Sequence, residues 1–333
     1  MRVISLLPSA TEIVHNVGAT DLLVGRSHEC DHPPEIEPLP ALTEQRTHYD
    51  PDAGTDARTE ARAVDLAVRD HLAEHRSLYR LDTERMLDLR PDLIITQDLC
   101  DVCSIDLATV RGAARELAER TGVTPDIISL DPHTIEAVLD DVLRIGEALG
   151  RPDAARDAVI ALRGRIFAAE EHVNAYAHHP VVGFLEWTNP LFVAGHWTVQ
   201  LIERAGGRHP LNESSPIPGH GAAEGPQRGQ RAAGKSIAVT PEIFAATAPE
   251  YLVIAPCGLT LEQTRREAQR LLEHDWFRSL PAVQRSRVAL VDGSEMFNRP
   301  GPRLVDAFEW LVGWIHDRPG LIPAGFPWEP LKA

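Results

Sequence analysis

Short apolar runs alternate with amphipathic segments along the whole chain. Residues 2–7 and 93–96 are apolar runs of strand length, each bounded by polar or proline-containing sequence. Between such runs, apolar residues recur at three- and four-residue intervals, as Ile13, Val14 and Val17 do, which is the spacing of one face of an α-helix. Alternating strands and helices favour a parallel sheet, so the pattern predicts the α/β fold class.

The first predicted strand leads directly into a predicted helix. Ser9 precedes Glu12 by three residues, which is the spacing of a capping box, and Gly18 follows the last apolar position. We therefore expect Ser9 to cap a helix that ends near Gly18.

Residues 133–178 differ from the rest because they carry one long helical pattern, interrupted near Gly150 and Pro152. A chain of 333 residues is too long for one ordinary core and suits two domains of about 150 residues each. We predict an N-terminal α/β lobe over residues 1–132, a linking helix over 133–178 and a C-terminal α/β lobe over 179–333.

The net charge of the chain limits the kinds of partner. Lys and Arg together number 33, and Asp and Glu number 49, so the formal net charge is −16. That excess repels a phosphate backbone, and we expect no nucleic-acid partner. No stretch approaches the roughly 20 apolar residues that cross a bilayer, so we also expect no membrane insertion.

The start of the chain lacks the pattern of a secretory signal. Residues 3–7 form only a short apolar run, and no cleavage site follows a longer one. The sequence as it stands therefore predicts a cytoplasmic protein, and a periplasmic or extracellular one if a signal has been removed.

The segment after the first strand does not resemble a catalytic or cofactor loop. Pro8, Ser9 and Ala10 stand where a dinucleotide-binding fold has its glycines. No Gly-x-Ser-x-Gly segment marks a hydrolase nucleophile. We expect neither a phosphate-binding P-loop nor an enzyme.

Five segments, in order along almost the whole chain, resemble the class III periplasmic binding proteins, in particular the cobalamin-binding branch and its siderophore-binding relatives. These segments are residues 5–12, 89–96, 194–207, 256–258 and 298–303. The resemblance implies two Rossmann-like lobes joined by one long helix, with the ligand held between the lobes.

Three further segments resemble a sub-branch usually labelled cobalamin-binding: residues 27–31, 77–82 and 97–103. The resemblance implies a binding protein for cobalamin or a related corrinoid or metal chelate. It also implies a role as the substrate-binding component of an ABC transporter, with a membrane permease as partner.

The four cysteines share a position, because each follows a predicted strand. They are Cys30, Cys100, Cys103 and Cys257. Ligands bind beyond the carboxyl ends of strands in open α/β sheets, so we expect all four to face one cleft.

The chemistry of these cysteines leaves three interpretations open. Cys100 and Cys103 have the Cys-x-x-Cys spacing of zinc, iron–sulfur and redox sites, and His28 supplies a further ligand beside Cys30. In this interpretation the chain is a cytoplasmic metalloprotein. Alternatively, the thiols or the imidazole line a pocket for an organic ligand or bind the cobalt of a corrinoid. The third interpretation is inert packing as small apolar side chains.

Aromatic and polar side chains complete the predicted binding site. The candidate ligand-binding residues are Ser9, His28, Glu29, Trp187, His196, Trp197, Asn298, Arg299 and Arg303. The two tryptophan rings suit a flat macrocycle, although packing of Trp197 into its own helix is an equal alternative. The resemblance places the last three on the cleft rim of the second lobe, where they meet amide or carboxylate groups of a ligand.

Two carboxylates are candidates for docking to a permease. Glu84 and Glu242 each stand near the start of a predicted helix, one in each lobe, at positions that match a docking pair in the family. The alternative is that they only complement the positive end of a helix dipole.

Overall fold

The computed structural model describes residues 1–46, 78–98, 105–174, 176–219 and 230–332. The chain divides into two compact units. Within the described residues, unit 1 consists of residues 1–46, 78–98, 105–132 and 137–161, and unit 2 of residues 133–136, 162–174, 176–219 and 230–332.

Unit 1 contains six strands: β1 Val3–Ser5, β2 Leu23–Arg26, β3 Thr43–Gln45, β4 Tyr79–Leu81, β5 Leu93–Gln97 and β6 Asp126–Leu130. Four of them form a parallel sheet in the order β2-β1-β5-β6, and β3 and β4 form a two-stranded antiparallel ribbon. Its helices are α1 Pro8–Asn16, α2 Thr83–Leu89, α3 Leu107–Thr121 and most of α4 Ile135–Ala148.

Helix α1 begins two residues earlier than its capping pattern predicts. Leu7 is the N-cap residue, Pro8 occupies the first turn, and no side chain caps the helix. The prediction that Ser9 caps it is therefore wrong. Proline suits the first helical turn because that position needs no N–H partner, so it begins the helix ahead of Ser9. Gly18 follows the helix with a φ of +68°, as expected of a glycine beyond a helix end.

The predicted linking segment contains two helices. Helix α4 ends at Ala148, Gly150 has a φ of +66°, and α5 begins at Pro152 and runs to Glu170. A left-handed glycine followed by proline stops one helix and starts the next. The division between the units falls inside α5, after Ala161, so this 19-residue helix is shared by both.

The main strands of unit 2 are β7 Val182–Thr188, β8 Leu191–Val193, β11 Ile237–Val239, β12 Tyr251–Ile254, β13 Val288–Val291 and β14 Trp328–Pro330, and a separate ribbon consists of β9 Ser215–Pro216 and β10 Arg231–Ala232. The six main strands form a mixed sheet in the order β11-β8-β7-β12-β13-β14. Its central strands β7, β12 and β13 are parallel, and the other strands are antiparallel to their neighbours. The helices are the end of α5, α6 His196–Arg204, α7 Pro241–Ala246, α8 Leu261–Leu271, α9 Asp275–Arg278, α10 Pro281–Gln284 and α11 Leu304–Ile315.

A buried arginine ties helix α6 to two other segments of unit 2. Arg204 is 7% exposed and donates to Glu136 and Glu170, while Gln200 accepts from the backbone N–H of Ile135 at 2.9 Å. Both carboxylates are needed, because a buried guanidinium without them costs about 3–5 kcal/mol. The network therefore fixes residues 133–136 and the end of α5 on the same helix.

All six tryptophans of the chain lie in unit 2, at positions 187, 197, 276, 310, 314 and 328. Trp310 is fully buried and stacks on Trp314 and Phe326, with centroid separations of 5.3 and 5.1 Å. Tryptophan emission therefore reports the folding of unit 2.

His209 makes unit 2 sensitive to acid. Its Nδ1 donates to the carbonyl of Val182 at 2.9 Å, its Nε2 has no partner among the described residues, and burial lowers its pKa from the ordinary 6.5. The unfolded chain therefore takes up the proton first as the pH falls. We expect the free energy of unfolding to fall by up to about 1.4 kcal/mol for each pH unit below 6.5 from this residue.

The measurement is urea unfolding followed by tryptophan emission at pH 7.5 and 5.5. His209→Asn retains a donor near the carbonyl and does not titrate, so its free energy of unfolding should fall less than that of the wild type. Equal losses in the two proteins would contradict this role for His209.

Candidate functional site

The loops that follow the parallel strands of unit 1 form what we call carboxyl edge 1. The loop after β2 contains His28, Glu29 and Cys30, and the segment after β1 contains Ser9. The sequence therefore placed these residues correctly with respect to the strands.

His28 is held by a threonine of the β3–β4 ribbon. Thr43 Oγ1 lies 2.8 Å from His28 Nδ1, accepts the backbone N–H of His28 at 3.1 Å, and lies 2.9 Å from Ser27 Oγ. Burial and the charge of Arg26 lower the pKa of His28, against a smaller opposing effect of Glu44. The imidazole is half-buried, and no described residue hydrogen-bonds its Nε2.

Glu29 is held from the same ribbon. Tyr79 is 7% exposed and donates its hydroxyl to Glu29 Oε1 at 3.1 Å, and its ring lies 5.6 Å from that of His28. Pairing of β3 with β4 places Gln45 opposite Tyr79, which brings Thr43 and Tyr79 to one ribbon. Sequence reasoning missed Thr43 and Tyr79 as site residues, and only the resemblance of residues 77–82 pointed to this segment.

Ser9 and Cys30 lie inside unit 1. Ser9 is 2% exposed and Cys30 is 1% exposed, and the Cys30 thiol lies 3.0 Å from Thr11 Oγ1, which also donates to Ser5 Oγ at 2.8 Å. Cys30 thus packs against helix α1 as a small side chain with a weak polar contact. Cys30 is therefore a buried thiol, and its role as a ligand stays a prediction.

The structure describes two of the four cysteines of the predicted site, Cys30 and Cys257. Cys100 and Cys103 lie outside the described residues, while Cys257 is exposed after β12 and its N–H donates to the carbonyl of Glu186. In the part of the chain that the structure describes, no group of three or more His, Cys, Asp or Glu side chains is placed to hold a metal ion.

Carboxyl edge 2 is formed by the loops that follow β7, β12 and β13 in unit 2. Asn298 joins the latter two loops, since its Nδ2 donates to the carbonyls of Ala255 at 3.1 Å and Gly293 at 2.9 Å. A Cβ on Gly293 would lie 1.8 Å from the carbonyl oxygen of Pro256. These loops therefore meet backbone to backbone, and the Asn298 amide is used to hold them together.

The two predicted tryptophans differ in their surroundings. Trp197 is 8% exposed and donates Nε1 to the carbonyl of Phe297 at 2.7 Å, whereas Trp187 is half-buried at the end of β7. The environment of Trp197 agrees with the alternative that it packs into the core, and Trp187 retains an accessible part of its ring.

His196 forms a contact that the sequence did not indicate. Its Nδ1 lies 3.0 Å from Nδ1 of His133, and its ring stacks on Trp197 with centroids 5.6 Å apart. Its φ of +47° is a left-handed conformation, which the bond from its N–H to the carbonyl of Gly234 at 2.8 Å supports. His196 is therefore held within unit 2 by its hydrogen bonds to His133 and to the backbone of Gly234.

One of the two predicted rim arginines is buried, and the other forms an ion pair. Arg299 is 7% exposed, and Arg303 forms an ion pair with Glu295. A ligand that meets Arg303 would have to share the guanidinium with Glu295.

Residues 229–236 have the Gly-x-x-x-x-Gly-Lys-Ser spacing of a phosphate-binding P-loop, which the expectation of no such loop overlooked. A P-loop leads into a helix whose N-terminus faces the phosphates. Here Lys235 and Ser236 lead into strand β11, and the Ser236 hydroxyl donates to Glu186, while Gly229 lies outside the described residues. This context does not form a P-loop.

The two candidate docking carboxylates are both exposed in the first turn of a helix. Glu84 in α2 forms a two-pronged ion pair with Arg120, at 2.6 and 3.0 Å, which holds the pKa of its carboxyl below the ordinary value. Glu242 in α7 has a lowered pKa through hydrogen bonds from the Thr240 side chain and its own backbone. Only Glu84 has a basic partner in its own unit among these contacts.

None of the helices over the described residues combines the length and the apolar character that a membrane crossing needs.

Comparison with known proteins defines the class of protein to which this chain belongs. A family model described as periplasmic binding protein matches residues 3–294. The chain belongs to the periplasmic binding protein family, which is a family of solute-binding proteins and not a class of enzymes. The resemblance to the class III members and the predicted α/β fold are thereby confirmed.

Two similar proteins are named vitamin B12-binding protein. One, from Photorhabdus laumondii, is 25% identical over 322 residues, covering 95% of this chain and 88% of that protein. The other, from Vibrio cholerae, is 22% identical over 318 residues, covering 94% and 88%.

Solved structures share the fold. The periplasmic vitamin B12 binding protein of Vibrio cholerae has a TM-score of 0.61 at 20% identity, covering 96% of this chain and 97% of that one. The periplasmic heme-binding protein of Roseiflexus sp. RS-1 has a TM-score of 0.65 at 22% identity, covering 95% and 98%.

Asn298 offers a direct test of carboxyl edge 2. Asn298→Ala removes two hydrogen bonds and should lower the free energy of unfolding of unit 2 by about 1–3 kcal/mol. Asn298→Asp should lower it further, because a carboxylate then faces two carbonyl oxygens. Denaturation followed by tryptophan emission measures both, and Asn174→Ala, which removes an exposed hydrogen bond from the N–H of Tyr176, is the control for a loss outside carboxyl edge 2. An Asp variant as stable as the wild type would contradict this geometry.

Proposed function

We propose that this chain binds cobalamin or a related corrinoid. The observation that carries the proposal is the similarity to two vitamin B12-binding proteins over nearly the whole chain. The match spans both units, so it includes every element that positions His28, Glu29 and Trp187.

Each carboxyl edge, taken by itself, offers chemistry that suits part of a flat, polar-edged ring system. Carboxyl edge 1 offers an imidazole and a carboxylate, both held by the β3–β4 ribbon. Carboxyl edge 2 offers the half-buried indole of Trp187, a surface suited to an aromatic or macrocyclic face.

Cobalamin binding predicts both an optical and a thermal response. Cyanocobalamin absorbs where tryptophan emits, so binding should quench the emission of unit 2 with a stoichiometry of one per chain. A ligand at 100 times its Kd should also stabilise the folded protein by about 2.7 kcal/mol and raise Tm accordingly.

Two controls separate this prediction from the alternatives. Cobalt(II) chloride at equal concentration tests a bare metal, and hemin tests a porphyrin. Absence of any response to cyanocobalamin, with a response to hemin, would replace the corrinoid with a porphyrin. Stoichiometric zinc or iron in protein purified without oxygen would instead favour the metalloprotein hypothesis that involves Cys100 and Cys103.

We further propose that the chain delivers its ligand to an ABC transporter permease, which would place it on the outer side of the membrane. Glu84 and Glu242 support this proposal, since each is exposed at a helix start in a different unit. Arginine forms two-pronged pairs with carboxylates, and Arg120 already occupies Glu84 in this way. Docking at Glu84 therefore requires a basic group that shares or displaces Arg120.

Double substitution of Glu84→Gln and Glu242→Gln should abolish corrinoid uptake by cells that depend on this chain, because both docking charges are lost. The same variant should keep the wild-type Kd for cyanocobalamin. Glu35→Gln, at an exposed carboxylate of unit 1, serves as the matched control. Unchanged uptake by the double variant would contradict the docking role.

A further inference from the structure

The hydrogens around Thr43 determine which nitrogen of His28 carries a proton. Thr43 Oγ1 has three close neighbours: the backbone N–H of His28, Ser27 Oγ and His28 Nδ1. A hydroxyl has one hydrogen and two acceptor positions. The backbone N–H always donates and fills one acceptor position, so two arrangements remain.

In the first arrangement, Ser27 donates to Thr43, and Thr43 donates to His28 Nδ1. Each hydroxyl hydrogen of Ser27 and Thr43 then has an acceptor, and the imidazole carries its own hydrogen on Nε2, where no described residue accepts it. In the second, Nδ1–H donates to Thr43, and Thr43 donates to Ser27 Oγ, which already accepts the N–H of Glu29. Ser27 is only 3% exposed, and its hydroxyl hydrogen then has no acceptor among the described residues. The first arrangement is favoured because a buried donor without a partner is costly.

The favoured arrangement makes His28 a hydrogen-bond donor at Nε2. The lowered pKa of His28 agrees with a neutral ring. A neutral imidazole that carries its hydrogen on Nε2 has no lone pair there for a metal, and Thr43 occupies the lone pair of Nδ1.

Glu29, the next residue, supplies a hydrogen-bond acceptor. Its carboxylate accepts from the Tyr79 hydroxyl, and a carboxylate has about four acceptor positions and no hydrogen to donate. Carboxyl edge 1 therefore presents a neutral donor and an anionic acceptor on consecutive residues, both fixed by the β3–β4 ribbon.

We propose that His28 and Glu29 together bind a primary carboxamide at the periphery of the ligand and that His28 does not bind the ligand's metal. The carbonyl of a carboxamide accepts from Nε2–H, and its NH2 donates to Glu29. This inference rests on the proposed function and deepens it, because it names the group by which corrinoids are selected.

The selection is chemical. Cobalamin carries primary amides around the corrin ring, whereas haem carries two carboxylates. A carboxylate has no hydrogen to donate to Glu29 and is repelled by its charge, and a neutral His28 does not offset that repulsion. Carboxyl edge 1 therefore favours an amidated corrinoid over a porphyrin with carboxylates and over a corrinoid whose amide has been hydrolysed.

The protonated nitrogen of His28 can be measured without any ligand. In 15N-labelled protein at pH 7.5, NMR correlations of the imidazole should show hydrogen on Nε2 and none on Nδ1. Thr43→Val removes the hydroxyl and should weaken that preference. Hydrogen on Nδ1 in the wild type would overturn the inference even if the protein binds corrinoids.

Binding selectivity is the second measurement. Titrations compare cyanocobalamin with its monocarboxylic acids, each made by hydrolysis of one amide. The wild type should bind at least one monocarboxylate about tenfold or more weakly. Glu29→Gln should reduce that ratio, because a glutamine amide donates to a carboxylate, while Glu35→Gln should leave it unchanged. His28→Gln, which keeps a donor, should bind cyanocobalamin more tightly than His28→Ala.

The outcomes distinguish the inference from the proposed function. Equal affinity for cyanocobalamin and all its monocarboxylates would overturn amide recognition and leave corrinoid binding intact. A cobalt absorption band that changes on binding and is lost only in His28 variants would show that His28 ligates the metal, and would also overturn it. No binding of any corrinoid by the wild type would overturn both.

Discussion

Parallel pairing of the central strands is the constraint that creates both carboxyl edges. All four strands of the main sheet in unit 1 run in one direction, as do β7, β12 and β13 in unit 2. Each parallel strand delivers its following loop to the same end of the sheet, while the crossover helices return the chain to the other end. Residues distant in sequence, such as Cys257 and Asn298, therefore lie at the same edge of the sheet.

The strands and most helices could be predicted from the sequence because apolar runs and helical spacing are local signals. Ser9 shows the limit of such signals, since a proline at position 8 determined the helix start against a capping pattern. The β3–β4 ribbon could not be predicted in the same way. Thr43 and Tyr79 belong to strands of three residues each, paired across a long separation in sequence, and no local pattern specifies such pairing.

For the candidate site, the sequence located residues better than it assigned their roles. His28 and Glu29 follow a strand as predicted, but their orientation depends on Thr43 and Tyr79, which carried no chemical signature of their own. Asn298 and Trp197 look like ligand contacts in the sequence, yet both donate to backbone carbonyls of unit 2. A polar side chain in a loop has to satisfy its own backbone first, and only coordinates show which groups remain for a ligand.

The close approach at Gly293 has a genetic consequence. Every single-base missense change of a glycine codon introduces a residue with a Cβ, and a Cβ here would overlap the Pro256 carbonyl. The obstacle is a backbone atom, so no rotation of a side chain in the neighbouring loop would relieve the overlap. Codon 293 is thus closed to missense mutation, whereas the exposed Cys257 one residue beyond that proline can vary as far as packing is concerned. Natural variation among close relatives should therefore accumulate on one side of this contact and be purged from the other.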